Sequence, residues 1–215
     1  MSAKKVFIVI GTRPDAIKSI MLYRKLKAHK EIEVVLCNTG QHLEMLEGVL
    51  KLFDVSPDIT LKAMAHNASL NEMSAYLLSE MGKAMIEHHP DLIIVQGDTL
   101  SSYIGALVGF HQQIPVGHVE AGLRTHNKYA PFPEEMYRLM IDQIASLHFP
   151  PTALAKQNLS DSVKEIAQID VVGNTGIDAL KYVQRGIEQK TISFADRQQI
   201  DQIKHLKKHV DHLIY

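Results

Sequence analysis

VFIVIGTRPDAIK, residues 6–18, sets the architecture. Val6 to Ile10 run apolar and mostly β-branched without a polar interruption, as a strand covered on both faces must. Gly11 then supplies a tight turn, Thr12 can cap a helix, Pro14 falls near its first position and Asp15 in its first turn. A buried strand entering a capped helix through a short turn is the opening unit of a parallel α/β sheet. Two lysines precede the apolar run and mimic a signal peptide. The run is too short for one, and it leads into GTRP rather than a cleavage site, so a strand is expected.

The same alternation continues outward. EVVLC (33–37), DLIIVQ (91–96), IPVGHV (114–119), SLHF (146–149) and IDVV (169–172) read as strands, with DIT (58–60) as a short extra one. Helical patterns fill the intervals at 14–29, 42–53, 70–89, 99–112, 133–145, 151–160 and 175–188. In 70–89 the residues Leu70, Met73, Leu77, Met81, Met85 and His88 form a one-sided stripe. Strand–helix alternation of this kind predicts a doubly wound, mainly parallel, Rossmann-like sheet with right-handed crossovers. Ligands then bind beyond the carboxyl ends of the strands, near a topological switch point.

After Asn174 the pattern changes to polar helical stretches at 175–188 and 195–210, followed by HLIY (212–215). Residues 1–175 are expected to form the Rossmann-like domain. Residues 176–215 are expected to be a helical linker and the start of a second domain absent from the chain; a short edge strand or tail is the alternative.

Composition narrows the function classes. The 215 residues are 46% hydrophobic with a formal net charge of −1, which suits a large globular domain and gives no electrostatic case for nucleic acid or an anionic membrane. A single cysteine, Cys37, excludes an internal disulfide and fits a reducing compartment. No apolar run approaches the roughly 20 residues that span a bilayer, and a cytoplasmic location is expected.

Polar clusters follow the strands: GTRPDAIK, NTGQH, GDT (97–99), EAGLRT and GNTGID. Each has a plain reading. Asp98 can cap the helix beginning near Thr99, and Asn174 or Thr175 the helix near 176–188. Glu134, Arg138 and Asp142, spaced by four, can form a solvated ladder worth a few tenths of a kcal/mol. Together, though, Arg13, Lys18, Gln41, His42, Asp98, Glu120 and Arg124 would face one rim of the sheet. Helix amino termini beside Arg13 and Lys18 suit a phosphate-bearing ligand. The three-glycine dinucleotide fingerprint and the Walker lysine loop are both absent. GHVEAGLRTHNKYAPFPEE (117–135) adds carboxylates at both ends of one loop, Glu120 at the strand exit and Glu134 with Glu135 at the helix start. His118 reads as a core or supporting histidine. The histidines show no metal-ligand spacing, and no metal is expected.

These pieces, with QGDTLSS, HVEAGLRT, PFPEE and the following Arg138, IDQIA, FPPT and VVGNTGIDAL, occur in one order across about residues 5–182. In that order and spacing the chain resembles the amino-terminal half of bacterial non-hydrolysing UDP-N-acetylglucosamine 2-epimerases. The resemblance implies one half of a glycosyltransferase-B-type fold, with the active site between two Rossmann-like halves. It implies interconversion of UDP-N-acetylglucosamine and UDP-N-acetylmannosamine by elimination and re-addition of UDP, without cofactor or metal. Asp98, Glu120 and Glu134 match the catalytic carboxylates. Arg13 and Lys18, with Arg124 and Asn174, are the expected substrate-binding residues, and Gln41 and His42 match a loop for an activating UDP-sugar. A homodimer is implied too. Departures are Asp15 for Glu, Tyr137 for Asn, Ser146 for Asp, and HNASL (66–70) for a more polar stretch. Three readings therefore compete: an epimerase lacking the second half of its site and turning over weakly or not at all, a non-catalytic sugar-nucleotide-binding or interaction module, and a glycosyltransferase half-domain, which the paired carboxylates disfavour.

Overall fold

Apolar continuity in the sequence becomes double-sided burial in the computed structural model, which describes residues 3–41, 43–62, 68–163, 168–189 and 191. The expectations for His42, for His66 and Asn67 of HNASL and for 195–215 lie outside the described residues. Among the described residues seven strands, β1 (Lys4–Ile10), β2 (Ile32–Asn38), β3 (Ile59–Thr60), β4 (Leu92–Gln96), β5 (Val116–Val119), β6 (Leu147–Phe149) and β7 (Gln168–Ile169), form one sheet in the order β3-β2-β1-β4-β5-β6-β7. Every pairing is parallel. The chain therefore works outward from β1 to β3, crosses back and continues outward from β4. The switch point lies between β1 and β4, and all carboxyl ends share one edge.

Helices α1 (Arg13–Lys27), α2 (Leu43–Leu52), α3 (Leu70–His88), α4 (Leu100–His111), α5 (Glu134–Ile144), α6 (Ala153–Ser162) and α7 (Thr175–Glu188) fall close to the expected spans. Their starts have local causes. Thr12 with Asp15 and Ser69 with Glu72 form capping boxes at α1 and α3, and the Thr99 hydroxyl caps α4. His89 ends α3 in the left-handed region at φ 47°.

One face of the sheet is sealed by α3, α4 and α5. Phe7, Val9, Val35, Cys37, Ile93 and Val95 pack there with Leu77, Met81, Met85, Ile104, Val108 and Ile141. Each such side chain contributes roughly 1.5–3 kcal/mol of transfer free energy. The packing is close: a Cβ on Gly105 would approach Val9 to 3.0 Å, so α4 lies almost directly on β1. On the α1 face the cover is incomplete. A cavity of about 650 Å³ runs over Val6, Ile94, Val119 and Phe149 between Leu22 and Val172. It is mainly apolar and runs along the sheet face from Lys4 and Asp91 to Val119, Phe149 and Thr175.

The final strand differs from expectation. IDVV at 169–172 was the predicted segment, whereas the ladder covers Gln168 and Ile169. Backbone donors at Gln168, Asp170 and Val172 still reach the carbonyls of Ser146, His148 and Pro150. Val171 and Val172 are about half exposed because nothing among the described residues covers this edge. The chain divides into one compact unit over Met1–Leu180 and another over Lys181–Tyr215, of which the end of α7 and the residues just after it are described. No helix among the described residues is long and apolar enough to cross a membrane.

Candidate functional site

At the switch point the backbone itself is crowded. A Cβ on Gly11 would stand 2.0 Å from the Ser101 hydroxyl and 2.6 Å from that of Thr39, so only glycine lets β1 pass between α4 and the end of β2. The next residues turn their donors inward. Gly11 N, Thr12 N and Thr99 Oγ1 all donate to Asp15 Oδ2, at 3.1, 3.0 and 3.2 Å. Asp15 thereby ties the amino termini of α1 and α4 together. Its carboxyl is almost wholly buried; burial pushes its pKa to about 6, against the opposing pull of those hydrogen bonds.

Glu120 leaves β5 with φ 65°, a backbone state unfavourable for a residue with a side chain. That state is held by a dense set of contacts. Lys18 Nζ reaches both carboxylate oxygens at 2.6 and 2.7 Å, and Gln96 Nε2 donates to Oε2 at 2.5 Å. A Cβ on Gly97 would lie 3.4 Å from the same Oε2, so the carboxylate sits beside the residue that precedes Asp98. Asp98 leaves the neighbouring strand, β4, and is grasped by Arg138, whose Nε and Nη2 both donate to Oδ2. The third guanidinium nitrogen, Nη1, pairs with Glu135 at 3.1 Å. Glu135 is 1% exposed and accepts the backbone N–H groups of Thr125 and His126. The 120–133 loop is thus chained through Glu135 and Arg138 to Asp98.

Glu134 opens α5 one turn before Arg138, on the same helix face. It is half-buried and accepts no hydrogen bond among the described residues. Tyr137, beside it, stacks on Tyr103 of α4 with centroids 5.0 Å apart and rings 8° from parallel. Burial, then the nearby Tyr103 and Glu134, raise its phenol above the usual range, so at neutral pH it is a donor.

A second network lies directly beneath. His118 is fully buried between Asp142 Oδ1 on one ring nitrogen and the Gly97 carbonyl on the other. Arg124 Nη2 donates to Asp142 Oδ2 at 2.6 Å. Burial pushes the Asp142 carboxyl up, but the charges of His118 and Arg124 and their hydrogen bonds outweigh this and leave it below the ordinary range.

The sequence-derived residues therefore divide. Lys18, Asp98, Glu120 and Glu134 gather at the exits of β4 and β5 and the start of α5. Arg13, the first residue of α1, is exposed at the same edge with no ion-pair partner among the described residues. Asn174 is exposed and accepts from Gly176 N at 2.9 Å, bracing the start of α7; a Cβ on Gly176 would lie 3.7 Å from Lys18 Cγ. Gln41 accepts from Ser101, which also bonds Thr39. Arg124 is not brought to this group: its side chain is 3% exposed and committed to Asp142. Two plain expectations are corrected. Thr99, not Asp98, caps α4. The solvated Glu134–Arg138–Asp142 ladder does not form, because Arg138 and Asp142 have partners from other elements. The role of Gln96, the burial of Glu135 and the pairing of Arg138 with Asp98 and Glu135 were missed. The i,i+3 spacing of Glu135 and Arg138 was the one local signal available.

Chemically, the edge presents two cation-held carboxylates, one unengaged carboxylate, and exposed helix amino termini with basic residues. That combination suits proton transfer on a ligand carrying a polyanionic group.

The comparisons with known proteins agree on one group. A family profile described as UDP-N-acetylglucosamine 2-epimerase matches residues 24–210. The chain is similar to UDP-N-acetylglucosamine 2-epimerase of Bacillus subtilis, 46% identical over 180 residues, covering 84% of this chain and 47% of the relative. In structure it is similar to UDP-GlcNAc 2-epimerase from Neisseria meningitidis bound to UDP-GlcNAc, with a TM-score of 0.80 at 39% identity over 87% of this chain and 52% of that one. It is likewise similar to S. aureus MnaA solved with UDP, with a TM-score of 0.83 at 37% identity over 94% of this chain and 51% of that one. The chain spans about half the length of the curated relatives it matches.

Proposed function

Because the chain belongs to the UDP-N-acetylglucosamine 2-epimerase family, we propose that its rim of carboxylates serves C2 epimerisation of UDP-N-acetylglucosamine to UDP-N-acetylmannosamine. Residues 1–175 are the half that supplies these groups. The C2 proton of the sugar is not acidic in the ground state, since no carbonyl adjoins it. Departure of UDP from C1, taking the bonding pair, develops an oxocarbenium ion that acidifies C2–H. A carboxylate then removes the proton, C1 and C2 become doubly bonded, and 2-acetamidoglucal and UDP share the site. Proton delivery to the other face of C2 and return of UDP to C1 give the epimer.

One observation carries this reading. Glu120 and Asp98 are held by Lys18 and Arg138 at adjacent strand exits, and the unengaged Glu134 opens the helix that carries Arg138, one turn before it. Glu134, whose carboxylate accepts no hydrogen bond among the described residues, is the base. Lys18 and Arg13, beside the start of α1, meet the departing diphosphate. Arg124 acts by bracing the fold, and Asn174 reaches the ligand from the start of α7. Gln41 and His42 serve a second UDP-sugar. The proposal includes a homodimer and a cytoplasmic location, and an activity that is slow in the 215-residue chain.

The test is incubation with UDP-N-acetylglucosamine in deuterated water, followed at sugar C2. Slow deuterium incorporation is expected, falling by about 10²–10⁴-fold in Glu134→Gln. A bound sugar nucleotide with no label at C2, or epimer formed without label, overturns the proposal.

A further inference from the structure

Each ring nitrogen of His118 has an oxygen as its hydrogen-bond partner. Nε2 lies 2.7 Å from the Gly97 carbonyl, which can only accept. Nδ1 lies 2.6 Å from Asp142 Oδ1, and the other oxygen of that carboxylate takes the Arg124 guanidinium at 2.6 Å. A proton on Asp142 would have to sit beside the Arg124 charge; a proton on His118 Nδ1 sits between carboxylate and ring. The second arrangement places a carboxylate between two cations and satisfies every polar atom of the three side chains that these contacts involve.

The cross-strand neighbour sharpens the assignment. His148 of β6 pairs in register with His118 and is equally buried. Its Nε2 faces only the Asp142 backbone carbonyl at 3.0 Å, and its Nδ1 has no partner among the described residues. Burial holds His148 below the usual imidazole range. The groups facing His118 are thus Asp142 from α5, Arg124 from the loop, His148 from β6 and the Gly97 carbonyl from β4.

We propose that His118 is a positioning residue kept as a buried imidazolium, whose two N–H groups pin the Gly97–Asp98 turn to α5 and so aim the Asp98 carboxylate at the mouth of the sheet. Gly97 is the hinge of that turn, at φ 66°, and its own N–H is held by Val119. With the carbonyl of Gly97 fixed by a cation and the carboxylate of Asp98 fixed by Arg138, both sides of the turn are tied to α5. The functional consequence rests on the epimerase reading of Asp98; the protonation state does not.

The experiment is ¹⁵N-histidine NMR on the 215-residue chain, correlating ring nitrogens and ring protons from about pH 5 to about pH 8, where a free imidazole loses its charge. The His118 signals, identified by their loss in His118→Gln, are expected to show both nitrogens protonated throughout. An unprotonated Nδ1 at neutral pH overturns the assignment. Asp142→Asn gives a second check if His118→Gln fails to fold: there His118 is expected to titrate, and an unchanged doubly protonated ring counts against the proposal. Positioning is read without ligand, from the ¹³C carboxyl signal of Asp98. It shifts in whichever variant folds if the imidazolium sets the turn, and an unmoved signal refutes positioning. Failure of UDP-N-acetylglucosamine to perturb Asp98 in the unaltered chain would defeat the epimerase reading and leave the histidine assignment standing.

Discussion

Asp15 shows how one side chain can serve a site at a cost to stability. It joins the starts of α1 and α4 through three donors on a single oxygen, yet its carboxyl is buried and its pKa rises from 3.8 to about 6. Between those values the folded chain holds more proton than the unfolded one. This group's contribution therefore falls as pH rises through the window, by about 3 kcal/mol in all. Asp15→Asn keeps an acceptor for Gly11 and Thr12 and removes the charge. Urea unfolding from pH 4 to pH 6 should show a stability difference, variant minus unaltered chain, that grows with pH by that order. A flat difference would contradict the assignment. The sequence showed Asp15 as a first-turn acid, standing where the resembled family has Glu, and gave no sign of its burial. Its burial depends on Thr99, more than eighty residues away, which no local pattern reveals.

At the scale of elements, the 120–133 loop and α5 act together. Gly122 sits at φ 82°, and a Cβ there would fall 2.2 Å from the Ala155 carbonyl oxygen. Gly122→Ala should cost roughly 2–4 kcal/mol, strain plus overpacking, and should speed amide exchange of Thr125 and His126; denaturant titration and exchange measurements check both. On the α4 side, Tyr137→Asn removes the stack on Tyr103 and should cost about 1 kcal/mol beyond lost burial, again read by urea. The strands were legible because parallel strands buried on both faces read as unbroken apolar runs, as VFIVI and DLIIVQ do. The edge strand was placed less well, since Val171 and Val172 look buried in sequence and are not. Arg138 and Asp142 misled for the reason that i,i+4 spacing is a weak interaction, and buried partners from other elements outcompete it.

For the whole molecule, the parallel order with its switch point between β1 and β4 turns separate motifs into one edge. Spacing along the chain could suggest that rim, but only strand order brings the exits of β4 and β5 side by side. The core behind it is tight: burial alone pushes the Cys37 thiol to about 12. Cys37 should resist thiol reagents until the chain unfolds, so reagent kinetics will track global opening; rapid labelling of the native chain would show a looser core. The central claim is that Asp98, Glu120 and Glu134 surround the hexose of a UDP-sugar. Backbone-amide NMR of the 215-residue chain titrated with UDP-N-acetylglucosamine tests it most directly. Saturable shifts at Gly97–Asp98, Glu120 and Glu134, together with Arg13 and Lys18, are the predicted result. Saturable binding whose shifts fall elsewhere, or no binding at all, would contradict it.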